Sequence, residues 1–302
     1  MTSVPDTTSA AVVRPILAAA FPELGTGKPK LLLAGGGFDT WAVGDTVVKF
    51  PKDAEQVARL AIERAVHPLL EDRLSGLVPP IRSVSKAVAG YPFPLVAFER
   101  PAGRQGQTID GPILQPKPWG RTALARELGE ALSKLHATPI KHAKAAGVRP
   151  WGSKIEAGVE AGEGAIAWAS RVAGDAVDAF LVDPIPAGSR DLGKAVLCHG
   201  GLKGERLFVS EDGTRLTAVV DWCDVTLADP ALDLAGLAIW LGPGFVRDAL
   251  GAYTGPADEG TYDRAVFLAR SRLLDDLDRQ LEGTTDTSVP VLEAQLRTVF
   301  GA

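Results

Sequence analysis

Val196-Leu197-Cys198-His199-Gly200-Gly201-Leu202-Lys203-Gly204-Glu205-Arg206-Leu207-Phe208-Val209, followed after a Glu211-Asp212-Gly213 turn by Ala218-Val219-Val220-Asp221-Trp222, decides how this chain is read. Short apolar runs of strand length flank a glycine-rich loop, and an acid closes the last run. The stretch therefore reads as strand, tight loop, strand, turn, strand, with Asp221 at the exit. Loops at strand ends are where catalytic groups tend to sit. The two cysteines, Cys198 and Cys223, follow strands beside this loop. Two thiols give neither a disulfide framework nor a full zinc ligand set, so both are expected to be reduced core or site-lining thiols.

Upstream, Leu31 to Val43, Gly44-Asp45 and Thr46 to Pro51 read as strands turning at glycines. Gly35-Gly36-Gly37 is either a plain hairpin turn or a loop whose N–H groups approach a phosphate closely. It is neither a G-x-G-x-x-G nor a Walker A motif. Lys49 lies inside an apolar strand. One reading makes it an edge lysine that guards a sheet; the other makes it the strand lysine that holds nucleotide phosphates. A lysine of the second kind needs a carboxylate on the next helix. Val57 to Leu70 has helical apolar spacing and carries Glu63. Residues 1–10 are Ser/Thr-rich and expected to fray, and Val12 to Phe21 reads as a short amphipathic helix.

Together these features resemble the aminoglycoside and macrolide phosphotransferases, antibiotic kinases of protein-kinase-like fold. Their loop reads His-Gly-Asp, with Asn or His five residues after the Asp, and an Ile/Val-Asp-Trp follows. His199-Gly200 and Val220-Asp221-Trp222 match. Asp229-Pro230-Ala231-Leu232-Asp233-Leu234-Ala235 matches a further family segment. The resemblance runs from about Leu31 to Ala235. It implies an α+β bilobal fold, with a small antiparallel-sheet N-lobe over residues 1–98 and a larger, mainly helical C-lobe over 99–302. It implies that Lys49 pairs with Glu63 and that Gly36 and Gly37 lie at the phosphates. Ala97 and Glu99 fall in the hinge that meets the base of ATP or GTP. Asp221 becomes the Mg2+ ligand, His199 a scaffold of the loop, and Asp233 an anchor. The resemblance fails at two working positions: Gly201 stands where the catalytic Asp belongs, and Arg206 where the metal-binding Asn or His belongs. The chain contains no Asn at all.

Gly201 cannot accept a proton, and losing a positioned base lowers a rate by roughly 10²–10⁴. A guanidinium cannot ligate a metal. Three readings follow: an impaired antibiotic kinase, a pseudokinase that binds nucleotide or antibiotic without turnover, or altered chemistry with Arg206 and Lys203 as electrophiles. Thr122 to His136 reads as a strong helix whose terminal His136 packs at the helix dipole, residues 103–120 as loop, and residues 141–195 as largely helical. Tyr262 to Glu282 is an amphipathic helix. Its Asp275, Asp276, Asp278 and Glu282 would suit a polycationic acceptor, whereas Trp168, Trp240 and Phe245 would line an apolar acceptor pocket. The net charge of −5 and the absence of a basic, aromatic-interleaved stripe give no footprint for nucleic acid. No apolar run approaches a membrane span, and no basic n-region precedes an apolar leader, so a cytoplasmic protein is expected.

Overall fold

The computed structural model describes residues 4–24, 27–107, 116–152, 161–186, 189–285 and 287–301. Parts of three expectations, for residues 1–3, 108–115 and 153–160, lie outside the described residues. The N-terminal third builds one five-stranded antiparallel sheet in the order β1-β2-β3-β5-β4. Its strands are β1 (Lys30–Ala34), β2 (Phe38–Val43), β3 (Thr46–Pro51), β4 (Ile81–Val84) and β5 (Val96–Glu99). Gly44 closes the β2–β3 turn at φ 60°, a backbone state open to glycine without a Cβ penalty. β3 is therefore central, between β2 and β5, which removes the edge-guarding reading of Lys49.

Residues 4–9 do not fray. Thr7 is buried; its hydroxyl donates to Asp39 at 2.6 Å, and its carbonyl accepts from the Trp41 indole at 2.8 Å. α1 (Ala10–Ala20) packs Val13, Ile16 and Leu17 on the same sheet core. α2 (Ala54–Arg73) begins earlier than its apolar spacing predicts. Asp53 caps it by accepting from the Gln56 N–H at 2.9 Å, which satisfies one orphan donor of the first turn.

The C-terminal part is mainly helical: α3 (Pro118–His136), α4 (Ile140–Ala145), α5 (Glu163–Ala173), α6 (Asp175–Val182), α7 (Ala231–Leu241), α8 (Pro243–Leu250), α9 (Thr261–Leu281) and α10 (Val289–Phe300). Two small antiparallel sheets carry the loop. β6 (Arg104–Gln105), β8 (Leu207–Val209) and β9 (Leu216–Val219) form one, and β7 (Val196–Cys198) with β10 (Thr226–Ala228) the other. α7 is buried at every residue and, Asp233 apart, apolar all round, so it is the central helix of this core. Gly236, midway along it, lies against the loop backbone: a Cβ there would overlap the Leu202 carbonyl. Gly236→Ala is expected to lower stability to urea by about 1–3 kcal/mol or more through overpacking against a backbone atom that cannot swing away.

Three expectations about the acceptor surface are corrected by packing. Trp240 and Phe245 are fully buried core residues, not pocket walls, and the Trp240 indole donates to Gly106 O at 3.0 Å. Asp276 is buried against Lys203 at 2.6 Å. Asp278 accepts from the Gly162 N–H at 2.8 Å. Half of the four-acid face is thus committed to holding the fold. Among the described residues, no helix is long and apolar enough to cross a membrane.

Candidate active site between the sheet and the helical core

Three distant segments meet at Lys49. Its ammonium lies 2.8 Å from Glu63 Oε2 on α2 and 2.8 Å from Asp221 Oδ1 beyond β9. The rings of Phe38 and Phe98 flank it at 5.5 Å each. Burial is the largest influence on Lys49 and opposes its charge, but Asp221 and Glu63 outweigh it and the pKa is raised. The lysine therefore stays cationic at all ordinary pH. Glu63 also accepts from the Trp222 N–H at 3.1 Å and from the Cys223 thiol at 3.0 Å, tying α2 to the Asp-Trp segment.

Asp221 is the one non-glycine residue with positive φ among the described residues, at φ 66° and ψ 65°. Left-handed backbone costs such a residue roughly 1–3 kcal/mol. The strain turns the carboxylate back into the cleft, where both oxygens meet cations. Oδ1 faces Lys49, and Oδ2 lies 2.9 Å from Arg206 Nε. Burial pushes the Asp221 pKa up, but Lys49 and Arg206 prevail and hold the carboxyl far below its usual range.

Arg206 reaches beyond Asp221. Its Nη1 donates to Gly201 O at 2.6 Å, and its Nη2 lies 3.0 Å from Asp224 Oδ2. A Cβ on Gly201 would overlap Arg206 Nη1, with Cζ at 2.9 Å and Asp224 Oδ2 at 3.0 Å. The guanidinium thus fills the space into which a side chain at 201 would grow, so the two departures from the family pattern form one packed unit. Asp224 also pairs with Arg59 of α2. The sequence reading missed Asp224 and Arg59. The available signal was Asp224 itself, a second acid three residues after Asp221.

The loop is held from below. Asp233 of α7 accepts the His199 N–H at 2.9 Å and the Gly200 N–H at 3.0 Å, and it meets His136 Nε2 at 3.1 Å. The other nitrogen of His136 bonds the Tyr253 hydroxyl at 2.7 Å. Gly200 has φ 81°, and a Cβ there would overlap the Asp224 carbonyl. His199 Nε2 lies 3.0 Å from Val220 O, and Nδ1 accepts the Gly201 N–H at 3.3 Å. Burial, then Arg206, lowers the His199 pKa and leaves a neutral ring. Both of its nitrogens are used by backbone, which suits a scaffold rather than a base.

The remaining candidates are placed as follows. Gly36 and Gly37 form the β1–β2 turn; a Cβ on Gly36 would meet open space, and one on Gly37 would meet the Gln56 side chain. Ala97 sits mid-strand between β3 and β4, opposite Val48 and Ser83. Glu99 ends β5, where its N–H donates to Pro80 O at 2.9 Å. Lys203 is committed to Asp276, so it is not a free electrophile. Both cysteines are buried free thiols. A cavity of about 430 Å3 opens beside the loop, lined among others by Ile62, Arg149, Trp151, Gly200, Asp224 and Arg272.

The sequence model of the phosphotransferase enzyme family matches residues 30–268, most of the chain. The chain belongs to this family. Its fold is also that of solved antibiotic kinases. The GDP complex of aminoglycoside 2'-phosphotransferase-IIIa superposes with a TM-score of 0.72 at 19% identity, covering 97% of both chains. Macrolide 2'-phosphotransferase MphH from Brachybacterium faecium gives 0.61 at 23% identity, covering 90% of this chain and 91% of that one. The streptomycin-ATP complex of APH(2")-IIa gives 0.57 at 14% identity, covering 100% and 98%. No curated protein matches the chain in sequence.

The Mg2+ that membership in this family implies does not fit this donor set. Glu63, Asp221 and Cys223 cluster closely enough to hold an ion, but the Lys49 ammonium lies among them, 3.6 Å from the sulfur. The second oxygen of Asp221 belongs to Arg206, and no neutral oxygen or nitrogen ligand stands at 206.

Proposed function

We propose that this chain is an antibiotic-type, nucleotide-binding member of the phosphotransferase family whose transfer step is impaired. ATP or GTP would lie between the sheet and the helical core, its phosphates toward Lys49 and the Gly36-Gly37 turn and its base at the chain leaving Glu99. One observation carries the impairment: the Arg206 guanidinium occupies the space of the missing base and holds Asp221. Phosphoryl transfer depends on an aimed acceptor and neutralised phosphates. Lys49 and Arg206 supply positive charge, but nothing at 201 receives the acceptor proton. The pseudokinase reading draws on the same packing, since Arg206 obstructs transfer without removing Lys49 or Glu63.

The cavity beside Gly200 is the place for an acceptor hydroxyl. Its charges are Arg149, Arg272 and an Asp224 already paired with two arginines. Among the described residues this lining carries no acidic surplus for a polycation, which supports a weakly charged, macrolide-like antibiotic over an aminoglycoside.

The test is nucleotide binding set against nucleotide consumption. ADP and GDP titrated by calorimetry are expected to bind the unmodified chain and to raise its melting temperature. ATP and GTP consumption with macrolides or aminoglycosides is expected to stay at background. Rapid consumption with any of these acceptors would mean that another group takes the proton, and absence of binding would remove the nucleotide reading.

A further inference from the structure

The charges at the cleft balance without a metal. Lys49, Arg59 and Arg206 face Glu63, Asp221 and Asp224, three cations against three carboxylates, linked in one chain of ion pairs. His199 adds no charge, because burial and Arg206 keep it neutral. A magnesium site has a different character: carboxylates bring uncompensated negative charge, and the ion completes near-octahedral oxygen coordination. Here a dication would have to take Asp221 Oδ2 from Arg206 and leave a guanidinium beside it. Arg206 is also pinned at all three nitrogens, by Asp221, Asp224 and the Gly201 carbonyl. It is a fixed cation where a metal would otherwise sit.

We infer that this cleft binds nucleotide phosphates without a divalent ion, with the Arg206 guanidinium supplying the positive charge. This rests on the reading of the cleft as a nucleotide site. A guanidinium suits the task because it remains charged and carries five N–H donors; with one on each nitrogen engaged, one N–H on Nη1 and one on Nη2 are left to donate to phosphate oxygens. About a quarter of the Arg206 side chain is exposed, so it is reachable from the cleft while its pairs hold it.

The experiment is ADP titration by calorimetry in excess EDTA and again in excess MgCl2, on the unmodified chain and on Arg206→Asn. For the unmodified chain, the dissociation constants in the two conditions are expected to agree within about threefold. Arg206→Asn is expected to weaken binding in EDTA by about tenfold or more and to recover affinity when Mg2+ is added, since Asp221 then has a free oxygen. Tenfold corresponds to about 1.4 kcal/mol. A tenfold or greater loss in the unmodified chain on chelation overturns the inference while leaving the nucleotide site intact, and this arm needs no variant to fold. Equal affinities of Arg206→Asn and the unmodified chain in EDTA overturn it too. No ADP binding in either condition overturns both the inference and the nucleotide reading beneath it.

Discussion

Gly201→Asp combined with Arg206→Asn is expected to raise antibiotic-dependent nucleotide consumption by roughly 10²–10⁴ over the unmodified chain, the range ascribed to a positioned general base. The pair is required because the two positions share one space. Aspartate introduced alone at 201 would start at the point Arg206 Nη1 now fills. The arginine side chain is flexible enough to shift, but it would then pair with the new carboxylate and hold it from the acceptor. Arg206→Asn alone frees Asp221 Oδ2 from its partner at 2.9 Å yet adds no base. The double variant should therefore exceed the product of the two single effects, as expected for residues in contact. Steady-state consumption of ATP and GTP by all four proteins, with macrolides and aminoglycosides as acceptors, measures this. A double variant that binds nucleotide but stays at background with every acceptor would end the impaired-kinase reading.

Asp233→Asn is expected to lower unfolding free energy in urea by about 3–5 kcal/mol, the usual consequence of breaking a buried pair from one side. Asp233 and His136 side chains are fully buried and 3.1 Å apart. The carboxylate also accepts two loop N–H groups, so the amide would leave donors facing donors. The same residue sets an acid limit. Burial alone would raise its pKa, but His136 and the loop N–H groups lower it. A depressed folded pKa means that this stabilisation is full above the unfolded value of about 4 and fades as pH falls through the folded value. The unmodified chain should thus lose urea stability below about pH 4 more steeply than Asp233→Asn does.

Much of the architecture was legible in residue order. Apolar runs of strand length and the Gly44-Asp45 turn specify the β2–β3 hairpin, because turn chemistry is local. Lys49, Glu63, His199-Gly200, Asp221 and Asp233 stand in the family's order, and the fold brings the first two within 2.8 Å of each other. Less legible were the residues whose neighbours come from far along the chain. Trp240 and Phe245 look like exposed aromatics for a pocket, yet α7 is central and buries them. Asp276 looks like part of a solvated face, yet Lys203 from the loop reaches it.

The sequence by itself determined where this chain follows the family's pattern and where it departs from it: the lysine at 49, the glutamate at 63, the His199-Gly200 pair and Asp233 follow it, and Gly201 and Arg206 depart. Only the tertiary structure decided what fills the gap. An arginine at 206 has a long, rotatable stem, and nothing local fixes where its guanidinium goes. Asp221 and Asp224 fix it, on a turn that Glu63 and Arg59 of α2 hold from the other side of the cleft. Those partners lie up to 165 residues apart in the chain, so the set of ion pairs around Arg206 exists only once the sheet and the helical core have packed together.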